Sequence, residues 1–109
     1  MRVLFVCSAG RLRSPTAADY FRCAMIETRS RGCEVRDENA LTAADGEWAQ
    51  LVVAMERRLV RYIEKRIGRK PDVVLAIPDR FDRGDAKLIK LLEEQFSRWL
   101  FDEVMRDRA

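Results

Sequence analysis

The chain has 109 residues, 48% of them hydrophobic and 36% charged, with a formal net charge of +3. That length supports one domain, residues 1–109, and a modest core; no apolar run approaches the roughly 18 residues a membrane span needs. Histidine is absent, which excludes Ser-His-Asp and Cys-His catalysis and any histidine-ligated zinc.

Taken in chain order, Arg2 to Cys7 is a nearly continuous apolar run, the pattern of a parallel strand buried on both faces. Ser14 reads as an N-cap and Pro15 as the first residue of a helix reaching about Thr28, with Ala17, Phe21, Ala24 and Met25 inward. Arg29 to Gly32 reads as a turn, and Cys33 to Arg36 as a short edge strand. Thr42 to Asp45 has the form of a capping box for a short helix ending near Ala49. Leu51 to Met55 is a third buried strand. Glu56 to Ile67 comes next as a helix with Leu59, Tyr62, Ile63 and Ile67 inward and Gly68 as its C-cap. Val73 to Ile77 is a fourth strand. A last helix runs from near Asp85 to about Arg106 on a stripe of Leu88, Ile89, Leu92, Phe96, Trp99 and Leu100. Strands alternating with helices predict an α/β domain: a four-stranded parallel sheet in the order 2-1-3-4, with helices on both faces. Ligands of such sheets bind outside the carboxyl ends of the strands, where Cys7 and Asp79 fall.

Cys7-Ser8-Ala9-Gly10-Arg11-Leu12-Arg13-Ser14 connects the first strand to the first helix. A cysteine thiolate is a strong nucleophile, favoured at a helix N-terminus or beside a fixed cation. Both settings coincide here, because Arg13 is always charged and the helix dipole points at the loop. The Ser8 to Ser14 amides form an anion cradle for phosphate or sulfate. The planar fork of Arg13 matches two phosphate oxygens. Gly10 relieves the cost of a left-handed turn, and the Ser14 hydroxyl can donate to the sulfur as it departs. Together these residues make a device for attacking a phosphate ester. Arg11 adds a second cation to the loop.

Three cysteines make no disulfide framework and fit a reducing compartment, so a cytoplasmic protein is expected. Cys23, in the first helix, and Cys33, opening the second strand, read as packing residues. Neither a four-cysteine zinc site nor a nucleotide-binding glycine motif is present, so no metal and no cofactor is expected. Glu56 to Lys70 holds seven basic residues, Arg57, Arg58, Arg61, Lys65, Arg66, Arg69 and Lys70. This run reads as a solvated helix face, with recruitment of acidic phosphorylated partners as its functional alternative. Its one aromatic, Tyr62, is assigned inward, which disfavours nucleic acid.

Cys7, Arg13, Ser14 and Pro15 match one for one the Cys-x5-Arg-Ser-Pro signature that comes after the first strand in low-molecular-weight protein tyrosine phosphatases. The chain resembles in particular a short bacterial branch of that family. The resemblance is carried by Arg11 to Ala17, Glu47-Trp48-Ala49, Met55-Glu56 and Ile77-Pro78-Asp79, and spans roughly residues 2 to 92. It implies a two-step reaction through a phosphocysteine and a general acid on the loop after the fourth strand, on a phosphorylated protein or small aryl phosphate. Asp79 fits the acid, since it lies directly after that strand. Asp82 stays open as an alternative, and Asp85 reads as an N-cap. Ala9-Gly10 stands where relatives often have Gly-Asn. Leu12 takes the place of a second loop cysteine that protects the nucleophile in many of them. Phe81, with Arg80, is expected to line the mouth and meet the aryl group. Two other readings remain: a phosphocarrier of the sugar-transport type, which needs neither Arg13 nor Asp79, and a non-catalytic phosphate-binding module.

Overall fold

The apolar run at the N-terminus forms β1 (Arg2–Cys7), whose last five residues are buried. In the computed structural model, which describes residues 1–108, four parallel strands run in the order β2-β1-β3-β4. The other strands are β2 (Glu27–Gly32), β3 (Leu51–Ala54) and β4 (Val73–Val74). β1 lies between β2 and β3, with Cys7 opposite Gly32 and Val6 opposite Ala54. The expected order and parallel sense are those observed.

The helices are α1 (Arg13–Phe21), α2 (Ala43–Trp48), α3 (Val60–Ile67), α4 (Ala86–Leu92) and α5 (Arg98–Arg108). Side chains on β2 show that they cover both faces. Thr28 donates to the Ala18 carbonyl of α1 (2.8 Å), while its neighbour Arg29 pairs with Asp45 of α2 (3.2 Å). Successive strand residues point to opposite faces. On the α1 face, Phe5 stacks on Phe21 (5.8 Å) and meets Phe96 edge-on (5.3 Å). Among the described residues, no helix is long and apolar enough to cross a membrane.

β2 is where sequence expectation and structure part. The first helix stops at Phe21 rather than Thr28, and the strand is Glu27–Gly32, a segment whose sequence reads as helix end and turn. Cys23 therefore lies outside the helix and is exposed, Met25 is 79% exposed, and Cys33 comes just after the strand. Glu-Thr-Arg-Ser-Arg-Gly lacks an apolar face because β2 is an edge strand; Arg29 and Arg31 both pair with the buried Asp45. Ser14 is not the N-cap and Pro15 not the first helical residue: α1 begins two residues earlier, at Arg13, with Leu12 at the cap. Tyr62 is turned out, 47% exposed.

Elsewhere the local signals hold. Thr42 and Asp45 form the capping box, Gly68 ends α3 at φ 74°, and Asp85 accepts from the Lys87 N–H (2.8 Å). β4 is regular over two residues, but Leu75 and Ile77 still donate to the Ala54 and Met55 carbonyls (both 2.9 Å). Its outer edge is closed at Ala76, whose N–H and C=O are both taken by the Gln95 side-chain amide (2.7 and 3.1 Å). Gln95 lies in a π-helical turn, Glu93–Ser97, between α4 and α5. Such a cap removes an edge that would otherwise pair with another strand.

Candidate active site

Cys7 ends β1 and is 2% exposed. Its sulfur receives the Gly10 N–H at 3.2 Å and lies 3.1 Å from the Ser14 hydroxyl. The same hydroxyl is 3.3 Å from the Arg31 carbonyl, so its one proton serves one acceptor at a time. Residues 8–12 curl over the sulfur because Gly10 takes φ 70°, a conformation that glycine reaches at little cost.

A second glycine, which the sequence alone does not single out, is as necessary. A Cβ on Gly32 would stand 2.4 Å from the Ala9 carbonyl carbon, and one on Gly10 would stand 2.6 Å from the Gly32 nitrogen. The loop thus packs backbone against backbone on the end of β2. A signal exists in the chain, since Gly32 is the last residue of the strand beside the one that ends at Cys7, but a strand expected to open at Cys33 makes Gly32 look like part of a turn.

Arg13, the first residue of α1, is 1% exposed. One terminal nitrogen, Nη1, donates to the Ile77 carbonyl (2.8 Å) and pairs with Glu56 (3.2 Å). The other, Nη2, donates to the Ser8 hydroxyl (3.3 Å). Its Nε is buried without a hydrogen-bond partner, 3.5 Å from Asp79 Oδ1. An unpartnered buried guanidinium N–H is costly. Nε and Nη2 together form a fork whose geometry can match two oxygens of an anion.

Asp79 is the aspartate the fold brings here: besides facing Arg13, it accepts from the Ser8 hydroxyl at 3.4 Å. Asp82 is exposed, and Asp85 is the helix cap. The loop carrying Asp79 is tied to α1, where the Gly84 N–H donates to the buried Thr16 hydroxyl (2.9 Å) and Arg83 pairs with Asp19 (3.0 Å). Arg11 and Leu12 lie on the rim. Arg11 pairs with Asp37, whose carboxyl is held below the usual range by the Asn39 N–H and then by the Arg11 guanidinium.

Phe81 departs from expectation. It is 7% exposed and belongs to the core, with the Arg80 guanidinium over its ring at 5.2 Å. The ring is drawn inward because the loop doubles back to α1 at Gly84, so it does not form an aromatic wall at the mouth. Glu56 is a site residue that sequence reasoning misses, although it comes soon after β3 at the same sheet edge as Cys7 and Asp79. Much of the basic run is also internal structure. Arg58 pairs with Glu34 and Glu56, Arg66 donates to the Gly32 and Val35 carbonyls, and Arg69 pairs with Asp72.

No protein-family model and no curated protein matches the sequence. Among solved structures, the YwlE arginine phosphatase from Geobacillus stearothermophilus aligns at TM-score 0.66 and 21% identity, covering 96% of each chain. A Cys-to-Ser mutant of a YwlE arginine phosphatase, its active-site serine phosphorylated, aligns at TM-score 0.64 and 20% identity, over 92% of this chain and 95% of that one. This is the low-molecular-weight tyrosine phosphatase fold. In that fold the strand–loop–helix connection carrying Cys7 lies at the carboxyl edge of the parallel sheet, where Arg13, Glu56 and Asp79 converge from α1, the end of β3 and the loop after β4.

Proposed function

We propose that the chain is a cysteine-dependent phosphatase of phosphorylated protein side chains. The observation that carries this reading is the buried Arg13, which presents an unpartnered Nε and a weakly engaged Nη2 beside Cys7. A phosphate dianion seated in the loop would satisfy both nitrogens and the Ser8 to Ser14 amides. Cys7 sulfur attacks phosphorus in line; the S–P bond forms as the bond to the leaving group breaks, and Asp79 gives its proton to that group. Water then attacks the phosphocysteine, Asp79 takes a proton from it, and the thiolate leaves toward the Ser14 hydroxyl. Arg13 and the amides stabilise the charge on the transferring phosphoryl group in both steps.

Phosphotyrosine is the substrate implied by the signature residues. Arginine phosphate is the second reading, favoured by the names of the structural neighbours and by the withdrawal of Phe81 into the core. A mouth without that ring offers a phosphorylated aryl group less stacking, and the carboxylate of Asp79 suits a guanidinium leaving group.

The test is metal-free hydrolysis of p-nitrophenyl phosphate, then of peptides carrying phosphotyrosine or phosphoarginine. Cys7→Ser should abolish turnover, and Asp79→Ala should lower kcat by about 100-fold, the low end of general acid–base contributions. The larger kcat/KM of the two peptides names the substrate. A wild type that takes phosphate on Cys7 and keeps it would be a carrier. One that neither turns over nor labels would reduce the loop to a binding module.

A further inference from the structure

Glu56 stands beside an anion site without any part in the chemistry above. Its Oε2 lies 3.2 Å from Arg13 Nη1, and its other oxygen pairs with Arg58, which also holds Glu34. A carboxylate next to a phosphate pocket repels the ligand, so as a bystander it would weaken the site. Its geometry gives it another task. Arg13 is 1% exposed and faces two carboxylates from different elements, Glu56 after β3 and Asp79 after β4. With Nη1 held by Glu56 and the Ile77 carbonyl, the fork is turned so that Nε stays 3.5 Å from Asp79 without bonding to it. The other titratable or charged groups of these segments are the Cys7 thiol at the start of the loop, Arg80 next to Asp79 in the chain, and Arg11 on the rim, already paired with Asp37.

We infer that Glu56 is a positioning residue: it anchors Arg13 at Nη1 and so keeps the 3.5 Å ion pair between Arg13 Nε and Asp79 from tightening into a hydrogen bond. Without Glu56, Asp79 is the carboxylate left to a buried guanidinium. A buried charge that loses one partner takes the next within reach. That pair would occupy Nε, the phosphate donor, and Asp79, the acid, at once. The inference rests on the proposed function for its catalytic meaning, but Arg13 binds an anion whether or not turnover occurs.

Orthophosphate binding, measured by calorimetry on Glu56→Gln, Asp79→Asn and the double variant, decides the matter by sign. If Glu56 is only a nearby negative charge, neutralising it tightens orthophosphate. If it holds Arg13 open, Glu56→Gln weakens orthophosphate by about three- to tenfold, within the coupling range of contacting residues. Adding Asp79→Asn then restores the affinity, because the competing carboxylate is gone. A loss of fold would not be repaired by a second substitution, and Glu56→Asp, which keeps the charge, should retain most of the affinity. Tighter or unchanged binding in Glu56→Gln, or a double variant no better than the single, overturns the inference. Because this readout needs no turnover, an inert wild type would count against the proposed phosphatase and leave the Glu56 result to stand or fall on its own.

Discussion

Arg13 is the residue in which fold and site meet. It opens α1, lies at 1% exposure and holds the Ile77 carbonyl near the end of the sheet's last strand. A lysine there keeps the charge but loses the fork: an ammonium that meets Glu56 and the Ile77 carbonyl has nothing left at Nε to offer an anion. Arg13→Lys should therefore lower kcat/KM for p-nitrophenyl phosphate by at least about 100-fold, on the scale of lost preorganised donors, with the melting temperature as the check that the fold survives. Cys33 makes a different residue-scale argument. It is 1% exposed, and burial pushes its thiol from 9.0 up to about 11, helped by the neighbouring Glu34 charge. The folded state thus keeps Cys33 neutral after the unfolded chain has begun to ionise. Its stabilising share is complete below pH 9 and is lost as pH rises toward 11. Two units are worth about 2–3 kcal/mol. Urea unfolding of wild type and Cys33→Ala across that window should show the wild type losing about that much more; parallel curves would mean that the buried thiol is not the group titrating.

At the scale of elements, legibility depends on how local the signal is. The Thr42–Asp45 capping box, Gly68 and Asp85 act within a turn of themselves, so the sequence displays them directly. The Cys7 to Ser14 loop is legible for the same reason: the proposed nucleophile, clamp and amides lie within eight consecutive residues. β2 is not, because Arg29 and Arg31 have strand meaning only once Asp45 arrives from α2. Glu56 is hidden likewise, since its partner is 43 positions away in Arg13. Gly32 carries the same lesson into the site. As a turn residue it would tolerate alanine; as the last residue of β2, in backbone contact with Ala9, it cannot. The 2.4 Å contact is with backbone, so the loop itself must move. Gly32→Ala should cost about 1–3 kcal/mol of stability, as overpacking does. It should also lower turnover at least tenfold by lifting the amides off the proposed phosphate position, where a shift of about 1 Å suffices. Normal turnover in a well-folded Gly32→Ala would show that the close approach does not set the loop.

At the scale of the molecule, the sheet is too narrow to be stable without its helices, and one aromatic cluster binds the first of them to the last. Phe96 stands between Phe5 of β1 (5.3 Å), Phe21 of α1 (4.9 Å) and Trp99 of α5 (6.0 Å). Contacts of this kind add about 0.5–1.5 kcal/mol each beyond the area they bury. Phe96 lies in the same π-helical turn as Gln95, which caps the edge of the sheet at Ala76. The turn's extra residue sends the two neighbours to different tasks: Phe96 into the core, Gln95 along the edge strand. Phe96→Ala should therefore cost about 3–5 kcal/mol, read as a lower urea midpoint. Phe101, 63% exposed on the same run of helix, should change stability by no more than about 0.5 kcal/mol when truncated, as exposed positions do. The chain's marginal stability, of order 5–15 kcal/mol, makes the first substitution severe and the second silent. Since Ile77 and Asp79 come soon after β4, loosening this turn should also lower turnover at temperatures where the domain is still folded. A Phe96→Ala protein that keeps wild-type kcat up to its own melting point would show that the aromatic cluster holds the helices without holding the site.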